Sequence, residues 1–206
     1  IIKIDPYFGT KGKRIFCENP SIILDESPPR HPLGSPYFAL GANAKWNPVP
    51  RIPQAIGLKD KTFTKLVANI LKTKGLAKPK IEITQAFRVD LEGDGNDEII
   101  IEGNNSILGS SERQNAGDYS FILLRKSVKG KPHNILIEGE FFTSKLIKSG
   151  NFDPSAYRKT VAIADLNGDG SMEFVLNVIF YEGSRHTVFE MQNGKPVKVL
   201  ESVCLD

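Results

Sequence analysis

Between Asp60 and Lys74 the apolar residues Phe63, Leu66, Val67, Ile70 and Leu71 recur at i, i+3, i+4, i+7 and i+8. That spacing predicts an amphipathic helix over 60–74, one face packed and the lysine-rich face wet. Asp60 or Thr62 is placed to cap its start, Gly75 to stop it, and Pro79 to prevent its continuation. After the helix the apolar positions gather into runs of strand length. Strands are expected at 81–91, 98–103, 119–126 and 134–142, then again at 160–166, 173–181, 186–192 and 197–203. The second set begins about 75 residues after the first. Asn193-Gly194 carries the signal of a tight hairpin between the last two strands. The runs 99–101 and 174–176 are apolar without alternation, which predicts strands covered on both faces.

The expected fold class is mostly β, α+β overall. It has two four-stranded antiparallel units, propeller-blade-like or packed as a sandwich, with one amphipathic helix and a proline-rich N-terminal arm. The arm is residues 1–57, which hold nine of the thirteen prolines and so exclude long helices and central strands. Short strands are expected at 14–17 and 21–24, and Tyr37, Phe38 and Trp46 read as anchors pinning the arm to the core. Residues 58–206 then form a single β-rich domain of two repeats, about 81–142 and 158–203. A complete propeller usually needs at least four blades, so two units do not close one within this chain.

The candidate chemistry lies in the turn between the first two strands of each repeat. One turn reads Asp90-Leu-Glu92-Gly-Asp94-Gly-Asn96-Asp-Glu98 and the other Asp165-Leu-Asn167-Gly-Asp169-Gly-Ser171-Met-Glu173. Each sets oxygen-bearing residues at positions 1, 3, 5, 7 and 9 around a glycine at position 6. A hard divalent cation takes six to eight oxygens at about 2.3–2.6 Å, and such a spacing brings side chains at 1, 3 and 5 together with the carbonyl of 7. Gly95 and Gly170 supply the sharp bend. Asp90, Glu92, Asp94, Asn96 and Glu98, and Asp165, Asn167, Asp169, Ser171 and Glu173, are therefore the candidate ligands of one or two Ca²⁺ ions. Glu92 departs from the commoner Asp or Asn at position 3. The same residue types also build metal-free turns by bonding their own backbone.

These are not EF-hands, whose bidentate Glu stands at position 12, because Ile101 and Leu176 occupy that place here. The combination of strand, acidic glycine turn and strand resembles the calcium loops of FG-GAP and VCBS-type repeats, found in integrin α-subunit propellers and in many bacterial secreted or surface proteins. The resemblance covers about residues 81–103 and 158–181. It implies calcium at the turns and leaves open a role in adhesion.

A chain of 206 residues with 40% hydrophobic content is long enough for an ordinary buried core. The net charge of +3 comes from 27 basic and 24 acidic side chains that are spread out, so nucleic acid is not implied as a partner. No stretch is apolar enough to span a bilayer as a helix. The opening Ile1-Ile-Lys-Ile-Asp5 lacks the layout of a signal peptide and reads as a mature, processed product or a trimmed chain. Cys17 and Cys204 are either two buried thiols or a disulfide closing almost the whole chain. Weak calcium loops suit extracellular calcium, which agrees with a secreted, periplasmic or cell-surface location.

His31, His133 and His186 have no metal-ligand spacing, and phosphate loops, Gly-x-Ser-x-Gly elbows and Cys-x-x-Cys pairs are absent from the sequence. The acid pair best placed for glycoside hydrolysis is Glu138 and Glu140, two apart on one strand face, though such acids usually lie solvated at a sheet edge. Tyr157 and Arg158 add no recognisable constellation. The expected function is an exported, non-catalytic calcium-binding protein whose ions stiffen inter-strand loops and support a surface for an unknown protein or glycan. The alternative is an enzyme acting on polysaccharide or cell-wall material, or its accessory carbohydrate-binding domain, with the arm's aromatics as a sugar platform.

Overall fold

The computed structural model describes residues 45–105, 114–150, 156–181 and 183–205. The strands expected at 14–17 and 21–24, together with Cys17, His31, Tyr37 and Phe38, lie outside the described residues.

Helix α1 (Lys61–Thr73) forms where the apolar stripe places it, with Phe63, Val67 and Leu71 buried. Asp60 is the cap that the chain uses, its side chain accepting the N–H of Thr62. At the other end Gly75, with φ +89°, donates to Lys72 O, and Leu76 donates to Leu71 O. This pair of bonds satisfies the helix's last carbonyls while Leu76 folds back against the buried Leu71.

Nine strands among the described residues make two antiparallel sheets. Sheet A runs β1 (Gln54–Ala55), β2 (Ile83–Val89), β3 (Glu98–Asn104), β4 (Tyr119–Val128), β5 (Lys131–Phe141) in spatial as in chain order. Sheet B is β6 (Tyr157–Ala164), β7 (Glu173–Phe180), β8 (Gly183–Gln192), β9 (Lys195–Leu205), again in sequence order. The mostly β architecture of two meanders holds, with two corrections. Sheet A has a fifth strand, because Gln54 and Ala55 from the proline-rich region pair with Arg88 and Phe87. A second, short helix, α2 (Ser144–Ser149), follows β5 with none of its residues buried. Both β4–β5 and β8–β9 turn on two residues with positive φ, Lys129-Gly130 and Asn193-Gly194, which is what tight hairpins on right-twisted strands demand.

The two sheets face each other across a shared core of Phe87, Val89, Leu91, Ile100, Ile122 and Leu124 from sheet A with Ile163, Met172, Phe174, Leu176, Phe189 and Met191 from sheet B. Helix α1 covers the other side of sheet A, over Ala86, Ile101, Tyr119, Phe121 and Leu123. The non-alternating run 99–101 is thus packed on both faces, as its sequence predicts. In 174–176, Phe174 and Leu176 enter the shared core while Val175, on the opposite face, is half-buried.

The two repeats use opposite faces at this interface. Ile100 in β3, two residues after Glu98, points to sheet B, whereas its counterpart two residues after Glu173, Val175, points away, and Phe174 and Leu176 point in. The sheets therefore stack front to back, as neighbouring blades do, rather than front to front. Helix α1 lies on sheet A where sheet A lies on sheet B.

Candidate metal centre

Both acidic turns lie at one end of the stack and are held together. The N–H of Met172 donates to Leu91 O at 2.7 Å, joining position 8 of the second turn to position 2 of the first. Arg51 reinforces the join from the chain segment before β1: its Nε donates to Asp90 O at 2.5 Å, and its Nη2 to Leu91 O at 3.3 Å and Gly170 O at 2.6 Å. Trp46 donates its indole N–H to Asp165 O at 3.0 Å and lays its ring against Gly168, where a Cβ would stand 3.0 Å from Cδ2. Asp165 in turn donates its N–H to Pro48 O. Residues 46–51 are a strap over the second turn and between the two. Trp46 keeps about 40% of its surface exposed, yet its polar edge is spent on the turn.

Within each turn the position-1 carboxylate organises the backbone. Asp90 accepts the N–H groups of Gly93 (2.7 Å), Asp94 (3.1 Å) and Gly95 (3.0 Å); Asp165 accepts those of Gly168 (2.6 Å) and Gly170 (3.1 Å). Gly93, Gly95, Gly168 and Gly170 all have positive φ, between 72° and 89°, so the winding needs residues without a Cβ. At position 5, Asp94 accepts from Asn96 N and Asp169 from Ser171 N, each at 2.8 Å. Those bonds to Asn96 hold the Asp94 carboxyl below the usual range. The position-9 acids, Glu98 and Glu173, are buried and close the turn by accepting from Leu91 N (3.0 Å) and Leu166 N (2.7 Å). Burial raises Glu98 to about 7 against the pull of Leu91 N–H and Lys126, and burial likewise raises Glu173, with Asp169 and Asp165 adding to it.

The expected convergence of oxygens is only partly realised. Among the described residues no three His, Cys, Asp or Glu side chains form a metal-binding cluster. The physical reason is that the carboxylates are turned onto backbone N–H groups of their own turns. In the second turn, however, Asn167 Nδ2 donates to Asp169 Oδ2 at 3.1 Å and to Glu173 Oε1 at 3.5 Å, so the acids of positions 5 and 9 face one small space that a neutral amide spans. The amide is held in that orientation because its Oδ1 accepts the N–H of Asp169 at 2.9 Å. Among the described residues no Lys or Arg makes an ion pair with Asp165, Asp169 or Glu173. The donor set fits a hard cation, each carboxylate oxygen keeping a second lone-pair direction. The first turn fits one poorly. Its position-3 side chain, Glu92, is bonded by Lys126 Nζ, which also stands 3.9 Å from Glu98 Oε1.

A second group of charges lies between the sheets, away from the turns. Glu138 and Glu140 do share a face of β5, an edge strand, but they are tied inward rather than solvated. Glu138 pairs with Arg185 (2.5 Å) and Arg158 (3.5 Å), and Glu140 with Arg158 (2.9 Å) and the N–H of Ala156 (3.0 Å). Nearby Glu102 is 1% exposed; its Oε1 accepts Thr160 N at 2.7 Å and its Oε2 has no hydrogen-bond partner among the described residues. Burial raises it to about 7. His133 is exposed on β5, and His186 is half-buried on β8, with burial lowering its pKa.

Sequence reasoning missed Arg51, Lys126 and Glu102. Only Lys126 carried a local signal, as a lysine closing the apolar run of β4; Arg51 and Glu102 acquire their roles from segments far away in the chain. Comparison of the chain with protein-family models, with curated proteins and with solved structures finds no match.

Proposed function

We propose that this is an exported, non-catalytic calcium-binding protein of the FG-GAP/VCBS kind, in which Ca²⁺ stiffens inter-strand turns at one end of a two-sheet stack and supports a surface for another protein or a glycan. The observation that carries the reading is the second turn, where Asp169 and Glu173 face a common space beside Asp165 with no ion-paired base among the described residues. A divalent ion there relieves the mutual repulsion of three carboxylates and fixes the turn under Trp46. The duplicated spacing supports it too. An exported protein would meet millimolar calcium and an oxidising medium, which suits a Cys17–Cys204 disulfide. Catalysis by Glu138 and Glu140 is the weaker reading, because both acids already answer arginines.

The test is thermal unfolding with chelator and with millimolar Ca²⁺, for the native chain and for Asp169→Asn. Calcium at a hundred times its dissociation constant stabilises by about 2.7 kcal/mol. At about 2–4 °C per kcal/mol for a chain of this size, the midpoint rises by roughly 5–10 °C. Asp169→Asn loses most of that rise. A midpoint indifferent to calcium refutes the reading.

A further inference from the structure

The two turns match in spacing but differ in what stands across the sheet from their last acid. In sheet A, Ile99 pairs with Arg125, so one step further along both strands Glu98 lies opposite Lys126. In sheet B, Phe174 pairs with Phe189, so Glu173 lies opposite Glu190. A base faces the first turn and an acid faces the second.

The Lys126 side chain is only 8% exposed, unlike a surface lysine. Its ammonium bonds Glu92 Oε2, stands 3.9 Å from Glu98 Oε1, and is roofed by the β8–β9 hairpin, where a Cβ on Gly194 would approach Nζ to 3.3 Å. Positions 3 and 9 of the first turn, the two places where a glutamate extends its reach, are therefore both turned to a cation that belongs to the chain. A divalent ion entering there would meet that ammonium at close range in a poorly solvated space, a repulsion far stronger than in water. The glutamate at position 3, the one departure from the usual ligand pattern, has the length needed to reach the lysine.

We propose that Lys126 is the resident cation of the first turn, standing where the second turn takes a divalent ion, so that each chain binds one such ion and binds it at Asp165–Glu173. This rests on the calcium reading and sets its stoichiometry.

The test is calorimetric and terbium titration of the full chain, with Tb³⁺ emission excited through Trp46, the single tryptophan, which packs on the second turn. The native chain should bind one ion with strong sensitised emission, Asp169→Asn none, and Lys126→Gln two. Native stoichiometry of two, or one ion retained by Asp169→Asn, overturns the inference while leaving calcium binding in place. No binding by the native chain overturns the calcium reading itself. A folded Lys126→Gln that still binds one ion overturns the role given to the lysine; should that variant fail to fold, the native stoichiometry and Asp169→Asn decide.

Discussion

Glu102→Gln should gain stability relative to the native chain as pH rises. Glu102 is buried between the sheets, 1% exposed, with one oxygen on Thr160 N and the other without a hydrogen-bond partner among the described residues. Burial raises its pKa from 4.5 to about 7, against the pull of the Thr160 N–H bond and the charge of Lys159. Below about pH 4.5 the carboxyl is neutral in both folded and unfolded chains and costs nothing. As pH rises from 4.5, the unfolded chain releases its proton while the folded one holds it, so stability falls until the folded group also ionises near 7. At about 1.4 kcal/mol per pH unit, the loss across this window is on the order of 3 kcal/mol. Glutamine keeps the acceptor for Thr160 N and carries no charge, so its stability lacks this slope. Its second amide hydrogen-bonding group adds a constant cost of about 1–3 kcal/mol if unpaired, which shifts the comparison without bending it. Glu98, also raised to about 7, is present in both proteins and cancels. Urea unfolding at pH 4 to 8, followed by far-UV circular dichroism, should show the difference between variant and native moving in favour of the variant by on the order of 3 kcal/mol. A difference that stays constant with pH refutes the assignment of a buried, charge-averse carboxyl.

Two further substitutions probe the frame around the turns. Arg51→Ala removes three hydrogen bonds to the carbonyls of Asp90, Leu91 and Gly170, and should lower stability by about 1–3 kcal/mol in thermal unfolding. Arg51→Lys should recover little, since one ammonium cannot reproduce the guanidinium fork; full recovery refutes the bridging role. Gly103→Ala would put a Cβ 2.4 Å from Phe121 Cε1 and 3.2 Å from Glu82 O, so overpacking of about 1–3 kcal/mol should lower the midpoint by several degrees. A midpoint within a degree of native would show that the Phe121 ring moves aside freely.

Local pattern carried the elements whose causes are local. Helix α1 could be placed over 60–74 because stripe, Asp60 cap and Gly75 stop all lie within its own sixteen residues, and it runs Lys61–Thr73. The eight longer strands follow apolar runs in the same way. Helix α2 escaped notice because it buries nothing and leaves no stripe, and β1 because two residues beside prolines acquire a strand's identity only from β2. In the turns, spacing correctly marked Gly95 and Gly170 as bends but not Gly93 and Gly168, whose φ is also positive. It could not tell that the acids would spend themselves on backbone N–H groups, or that Lys126 would reach Glu92, since the latter depends on β3–β4 register. Glu138 and Glu140 show the same limit: alternation put them on one face, but whether that face met water or arginines was fixed by the second sheet.

Front-to-back stacking has a geometric consequence. A sandwich of like faces is complete at two layers, because each sheet uses up the one surface the other needs. Here the junction joins unlike surfaces, so the pile has a head and a tail. Helix α1 terminates the head by doing for sheet A what sheet A does for sheet B. At the tail, the paired Val175 and Val188 stand where the paired Ile100 and Leu124 stand in the existing junction, half-buried where those two are fully buried. The junction is therefore of a kind that repeats by translation instead of closing on itself.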